Sequence, residues 1–170
     1  GRQLGQFLIE PAREVALDLM QVGLNDVEVV EQPLGSRGYS AVGTGIISIT
    51  VNGTTANIAI DGSANSLNDI RNAINAAPDN PGVRATIVTG TGGAHLVLSS
   101  TTTGVANAIS VAVSGGDGGL SPFVYTTGGL ANTMTELSAA ADASAIIDGV
   151  IVSSATNTIA DAIDGVTLNL

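Results

Sequence analysis

From Ile47 to Ile60 apolar and polar residues alternate, and the alternation breaks once, at Asn52-Gly53. Ile47, Ile49 and Val51 fall on one side of an extended backbone, with Ser48 and Thr50 on the other. Ala56, Ile58 and Ile60 resume the pattern after the break. Period-two alternation marks a strand with one buried face. Asn-Gly is the dipeptide that most readily takes the two positive φ angles of a two-residue hairpin turn. The segment therefore predicts a β-hairpin with one apolar face, and such a face needs a second layer to bury it.

That second layer has to be thin. The chain has two Phe, two Tyr and no Trp among 170 residues, so Val, Ile, Leu and Ala must fill the interior. Side chains of that size bury little area each, which suits two shallow β-layers better than one deep globule. The length allows one ordinary domain or two small ones.

A helix follows the hairpin. Ser66 with Asp69 three residues on forms a capping-box pattern, Asp standing where Glu is usual. Such a cap contributes about 1 kcal/mol. Leu67, Ile70, Ala73, Ile74 and Ala77 make one apolar stripe, and Pro78 and Pro81-Gly82 end the helix. Strands are expected over 83–88 and 95–99, joined through the turn Gly90 to Gly93, and again over Ile109, Val111 and Val113. Residues 114–119 read as a flexible glycine loop. One short strand is expected at Phe123 to Thr126. Upstream, Pro11 opens a helix whose face is Ala12, Val15, Ala16, Leu19 and Met20, closed by Gly23. Val27 to Val30 reads as a short strand, and 32–45, with Pro33 and its glycines, as loop.

The C-terminal stretch repeats this grammar in shortened form. Ala145-Ile146-Ile147, a turn at Asp148-Gly149 and Val150-Ile151-Val152 match the first hairpin. Thr158 with Asp161 matches the helix cap, Ile159 and Ile163 supply a short helical face, and Gly165-Val166 resumes a strand. The unit spans about 46–88 and again about 144–170. The predicted class is mainly β (α+β): two small β-rich subdomains, each with a short capped helix.

Several chemistries are excluded or given no support. The chain has no Cys, so no disulfide, cysteine-ligated zinc or thiol nucleophile exists. A net charge of −10 with no Lys opposes phosphate backbones and anionic membranes, so neither nucleic acid nor membrane insertion is expected. No apolar run approaches the roughly 18 residues of a membrane span. The absence of Lys removes any phosphate-binding P-loop. Gly, Ser, Thr, Asn and Ala with few aromatics suit an exported, extracellular β-protein. A chain opening on Gly1 without a leader pattern reads as a fragment.

The single His95 stands beside Leu96 in a strand pattern and reads as a surface or strand-edge residue. Asp61, Asp148 and Asp164 accompany turns, where carboxylates commonly accept backbone hydrogen bonds. A pair of them could in principle cleave glycosides, but sugar sites usually carry aromatics and this chain has four. Ser114 to Gly119 has the look of a calcium-binding glycine repeat without the stacked neighbours that complete the ligands. No catalytic, cofactor-binding or metal residue is expected, and no cofactor.

Residues 57–88, NIAIDGSANSLNDIRNAINAAPDNPGVRATIV, resemble the flagellin insert motif of hook-associated and flagellin-type proteins, and 95–111, HLVLSSTTTGVANAISV, continue the resemblance. Residues 143–170, ASAIIDGVIVSSATNTIADAIDGVTLNL, are similar to a segment of the flagellar filament cap (hook-associated protein 2) family. The resemblance implies two head domains, one inserted into the other: residues 44–120 as the inserted outer domain, and 24–43 with 121–170 as the inner one. Residues 1–23 depart from the family pattern, and the terminal helices and coiled coil that anchor a cap are absent. The implied role is structural: a ring-like homo-oligomer at the extracellular filament tip that works on flagellin. An extracellular adhesin touching host glycans or mucin through loops 89–94 and 114–119 is the alternative. A hydrolase is a distant third.

Overall fold

The computed structural model describes residues 29–34 and 41–170. The helix expected between Pro11 and Gly23 lies outside the described residues, as does the start of the strand expected at Val27. Twelve strands and one α-helix follow in order: β1 (Val29–Leu34), β2 (Gly45–Val51), β3 (Thr54–Ile60), α1 (Leu67–Ala76), β4 (Val83–Gly90), β5 (Gly93–Ser100), β6 (Ile109–Ser114), β7 (Tyr125–Thr126), β8 (Thr135–Ser138), β9 (Ala143–Ile147), β10 (Val150–Ser154), β11 (Thr158–Ile163) and β12 (Val166–Asn169).

Two four-stranded antiparallel sheets, ordered β4-β5-β1-β8 and β3-β2-β6-β7, hold most of the interior. The first hairpin closes on Val51 and Thr54, with Asn52 at φ 48° and Gly53 at 75°, the positive pair its sequence requires. Its alternation is realised in full: Ile47, Ile49, Val51, Ala56, Ile58 and Ile60 are buried. The polar faces of the same strands pair across the ladder, Ser48 with Asn57 at 2.7 Å and Thr50 with Thr55 at 2.7 Å.

The capping box of α1 is present in both directions. The Asp69 amide donates to Ser66 Oγ at 3.3 Å, and the Ser66 amide donates to Asp69 Oδ2 at 3.0 Å. Leu67, Ile70 and Ile74 are buried, while Ala73 and Ala77 pack partly buried at the margin of the same core. Two asparagines then stitch the helix to β4. Asn75 donates to the Ala85 carbonyl and accepts from its amide, both at 2.8 Å. Asn80 donates to the Ile74 and Val83 carbonyls at 2.9 and 2.8 Å and accepts from the Gly82 and Val83 amides. A buried edge that would otherwise hold unpaired backbone groups is thereby satisfied. The core runs continuously from Val30 to Met134 and includes Phe123 and Tyr125, the two described aromatics.

The structure corrects the sequence reading at four places. First, the second capped helix is absent: Thr158–Ile163 is β11, a strand paired with β12. Only six residues, Thr158–Ile163, precede the Asp164-Gly165 turn, too few to repay helix nucleation, and that turn supplies a hairpin instead. Each subdomain therefore does not carry its own helix. Second, β1 continues through Pro33, where the sequence predicts loop. Among the described residues β8 pairs with Val29–Glu31, so Pro33 lies on a stretch of β1 paired with β5 alone. Third, β8 itself, TELS, has too short and polar a pattern to announce a strand.

Fourth, residues 114–119 are not a flexible loop but a backbone crossing. Asp117 Oδ1 accepts from the Thr44 and Gly119 amides, each at 2.9 Å. A Cβ placed on Gly116 would lie 1.8 Å from the Thr44 carbonyl oxygen, and one on Gly119 2.3 Å from that of Val42. Glycine is required there because two backbones touch.

Candidate assembly surfaces

The residues with chemistry to offer are spread along the fold. His95 lies in β5, half-buried, opposite Pro33 on one side and Val88 on the other, with its ring against Gly92. Asp61 follows β3 and accepts from the Ser63 hydroxyl and from the Ser63 amide at 2.8 Å, so it shapes the turn into α1. Those bonds, the hydroxyl's first, hold its carboxyl below the ordinary aspartate value. Asp69 is lowered in the same way by the Ser66 side chain and then its amide. Asp117 is lowered by the Thr44 and Gly119 amides. Asp148 sits at φ 48° in the β9–β10 turn, and Asp164 precedes Gly165 in the β11–β12 turn. Among the described residues no group of three or more His, Asp or Glu could hold a metal ion. The perturbed carboxylates are thus engaged in holding backbone, and each does so at a different turn.

The surfaces are more informative. β9 and β10 form a two-stranded sheet, β11 and β12 another, outside the main core. They meet the main body at a short polar seam around Gly104. Thr103 Oγ1 donates to the Ala155 carbonyl at 3.0 Å, and the Val105 amide donates to Asp142 Oδ1 at 2.8 Å. Gly104, at φ 98°, brings its backbone so close that an added Cβ would lie 2.7 Å from the Ala155 oxygen.

One face of the β9–β10 hairpin is covered: Ala143 and Ala145 are buried. The other carries the cross-strand pair Ile146 and Ile151, exposed by 52% and 72%. Val150, Ile163 and Val166 add exposed apolar area near the two hairpin turns. Elsewhere Leu130 stands fully exposed on a loop braced by Asn132, which accepts from the Thr126 amide and donates to its carbonyl. Exposed apolar side chains such as these are equipped to contact other polypeptide.

Comparison with known proteins agrees with this picture. The family model for the flagellin hook IN motif matches residues 47–102, which contain β2 through β5 and the capped helix. The chain is similar to the crystal structure of the flagellar cap protein FliD D2–D3 domains from Escherichia coli, with a TM-score of 0.74 and 30% identity over 86% of this chain and 76% of that one. It is also similar to FliD (HAP2) from Pseudomonas aeruginosa, with a TM-score of 0.73 and 33% identity over 85% of this chain and 68% of that one. In sequence it is 34% identical over 156 residues to the B-type flagellar hook-associated protein 2 of Pseudomonas aeruginosa, a match covering 84% of this chain and 32% of the relative. The chain spans about a third of the length of the curated relatives it matches.

Proposed function

The chain belongs to the flagellar cap protein (hook-associated protein 2) family, and from that premise we propose that it is the head portion of such a cap, a structural and non-catalytic assembly part. The observation that carries the reading is a structural likeness over 86% of this chain, well beyond residues 47–102 that the motif alone matches. The head would sit at the extracellular filament tip, associate with copies of itself in a ring, and offer its surfaces to arriving flagellin.

The proposed division is an inserted outer domain at 44–120 and an inner domain of 24–43 with 121–170. β1 and β8 then act as the strands leaving and returning at the insertion. They lie side by side and antiparallel at the edge of the β4–β5 sheet, which supports that division. That sheet draws on both sides of the boundary and ties the two domains together.

Deleting the gene is expected to abolish filament growth, with unpolymerised flagellin lost to the medium. Full-length protein should restore growth, and protein lacking the head should not. Normal filaments in the deletion strain would overturn the reading. The adhesin reading is not favoured: loop 114–119, one of its two contact loops, is committed to the backbone crossing at Thr44.

A further inference from the structure

Five times in the chain an Asn or Asp is followed by Gly: at Asn52, Asp61, Asp117, Asp148 and Asp164. The pairing has a chemistry of its own. With no Cβ on the second residue, its amide nitrogen can reach the side-chain carbonyl carbon of the first and close a five-membered imide. The structure separates the five by what holds each side chain.

Two are tied down. Asp61 Oδ1 accepts from the Ser63 amide at 2.8 Å and from its hydroxyl. Asp117 Oδ1 accepts from the Thr44 and Gly119 amides, each at 2.9 Å. Turning either carboxyl onto the next amide would break those bonds. Asn52, Asp148 and Asp164 stand at hairpin turns instead. Among these Asn52 is the reactive one, because an amide carbon is attacked more readily than that of an ionised carboxylate.

The geometry around Asn52 leaves the reaction room. It is exposed, and the ladder closes on Val51 and Thr54, so the Gly53 amide lies outside it. A Cβ built on Gly53 would meet nothing within 4 Å. Other asparagines differ on both counts. The side chains of Asn57, Asn75, Asn80 and Asn132 are hydrogen-bonded, and each is followed by a residue with a Cβ.

We propose that Asn52-Gly53 is a self-modification site, at which Asn52 converts to aspartate and isoaspartate. The Gly53 nitrogen bonds to Asn52 Cγ, the Cγ–Nδ2 bond breaks, and Nδ2 leaves as ammonia with the proton that Gly53 gives up. Water then opens the imide. Addition at Cγ restores the ordinary main chain with an aspartate. Addition at the main-chain carbonyl carbon routes the chain through Cβ and Cγ and leaves isoaspartate. One water is consumed, one ammonia is released, and no redox change occurs. Either product adds a negative charge to a chain already at −10. Isoaspartate also puts an extra carbon into the backbone. A two-residue turn with both φ angles positive has no slack for it. The Val51–Thr54 closure is lost first, then the Thr50–Thr55 hydroxyl pair beside it. The inference does not depend on the cap reading.

The protein is incubated folded in mildly alkaline heavy-oxygen water, then cut after arginine in ordinary water. With no Lys in the chain, residues 38–71 emerge as one peptide. Fragment masses are expected to show heavy oxygen entering residue 52 at least tenfold faster than Asp61 or Asn57, Asn65 and Asn68 of the same peptide. Both normal and isoaspartyl linkages should appear there. Gly53→Ala should slow the entry at least tenfold. Asn52→Gln, which keeps the turn glycine and would need a larger ring, should do the same. The converted protein, separated by its added charge, should exchange the amides of 45–60 faster than before and those of 83–100 at the old rate. Label that enters residue 52 only after unfolding in urea would overturn the proposal, since the turn would then protect the site. So would equal labelling of residues 52 and 61.

Discussion

The hairpins β2–β3 and β9–β10 turn through the same backbone geometry. Asn52 and Asp148 both stand at φ 48°, followed by Gly53 at 75° and Gly149 at 82°. In the first, the Ile-rich face lies against a sheet and a helix and is excluded from water. In the second, the Ile146/Ile151 pair is exposed, and two buried alanines mark the covered side of the described hairpin. Turn chemistry thus determines that a hairpin forms. What the hairpin contributes to stability depends on what covers its faces.

The sharpest way to break this contrast is to truncate one isoleucine in each hairpin. Ile49→Ala removes a side chain that is 1% exposed and leaves a cavity in the main core, so a loss of about 2–5 kcal/mol is expected in urea unfolding. Ile151→Ala in the same chain should change stability by less than about 0.5 kcal/mol. Equal losses would mean that the second hairpin is packed as the first is.

Glycine sharpens the comparison next. Gly116→Ala sets a methyl against the Thr44 carbonyl in a φ of 70° and should cost about 3 kcal/mol, from overlap and backbone strain together. Gly149→Ala meets nothing within 4 Å and bears the strain of φ 82° alone, about 1 kcal/mol. Thermal midpoints of the two variants would show whether contact or conformation keeps these glycines.

The helix cap gives a smaller effect. Ser66→Ala deletes one arm of a capping box observed in both directions and should cost about 1 kcal/mol. Thr158→Ala, at the matching place of the second unit, should cost less than half as much, because β11 has no helix N-terminus to cap. Similar losses would restore the symmetry that the strand denies.

Much of this fold was legible where residues close in sequence determine the outcome. Both Xaa-Gly turns, the alternating faces, the capped helix with its Pro78 stop and the β4–β5 hairpin are local patterns, and the structure realises them. The failures have a different cause. Thr158-Ile159-Ala160-Asp161 satisfies a cap pattern, but whether a cap leads to a helix depends on the length available before the next turn. Pro33 continues β1 beyond the stretch that pairs with β8, a strand remote in sequence, and no local pattern announces where that pairing stops. Ser114 to Gly119 read as flexible because glycine permits both freedom and close approach, and only the position of Thr44 decides between them. Least legible was the exposed face of the second hairpin: exposure of Ile146 and Ile151 depends on what lies over them, which no local pattern states.

The smallest expected effect tests whether the crossing at Asp117 holds through charge or through shape. Its carboxylate accepts from the Thr44 and Gly119 amides, and these bonds keep its pKa below the ordinary 3.8. A carboxyl depressed in the folded state favours folding fully above its unfolded pKa, and that contribution fades as the pH falls through the folded value. Asp117→Asn keeps an oxygen able to accept both bonds but carries no charge. The variant should therefore melt slightly below the wild type at pH 7, and the two melting temperatures should converge as the pH falls below the ordinary aspartate range. Asp61 and Asp69, lowered in the same direction, remain in both proteins and give both a common acid slope. A gap that stays constant across that range would mean that the crossing is held by the fit of glycine against backbone, with the charge of Asp117 contributing nothing measurable.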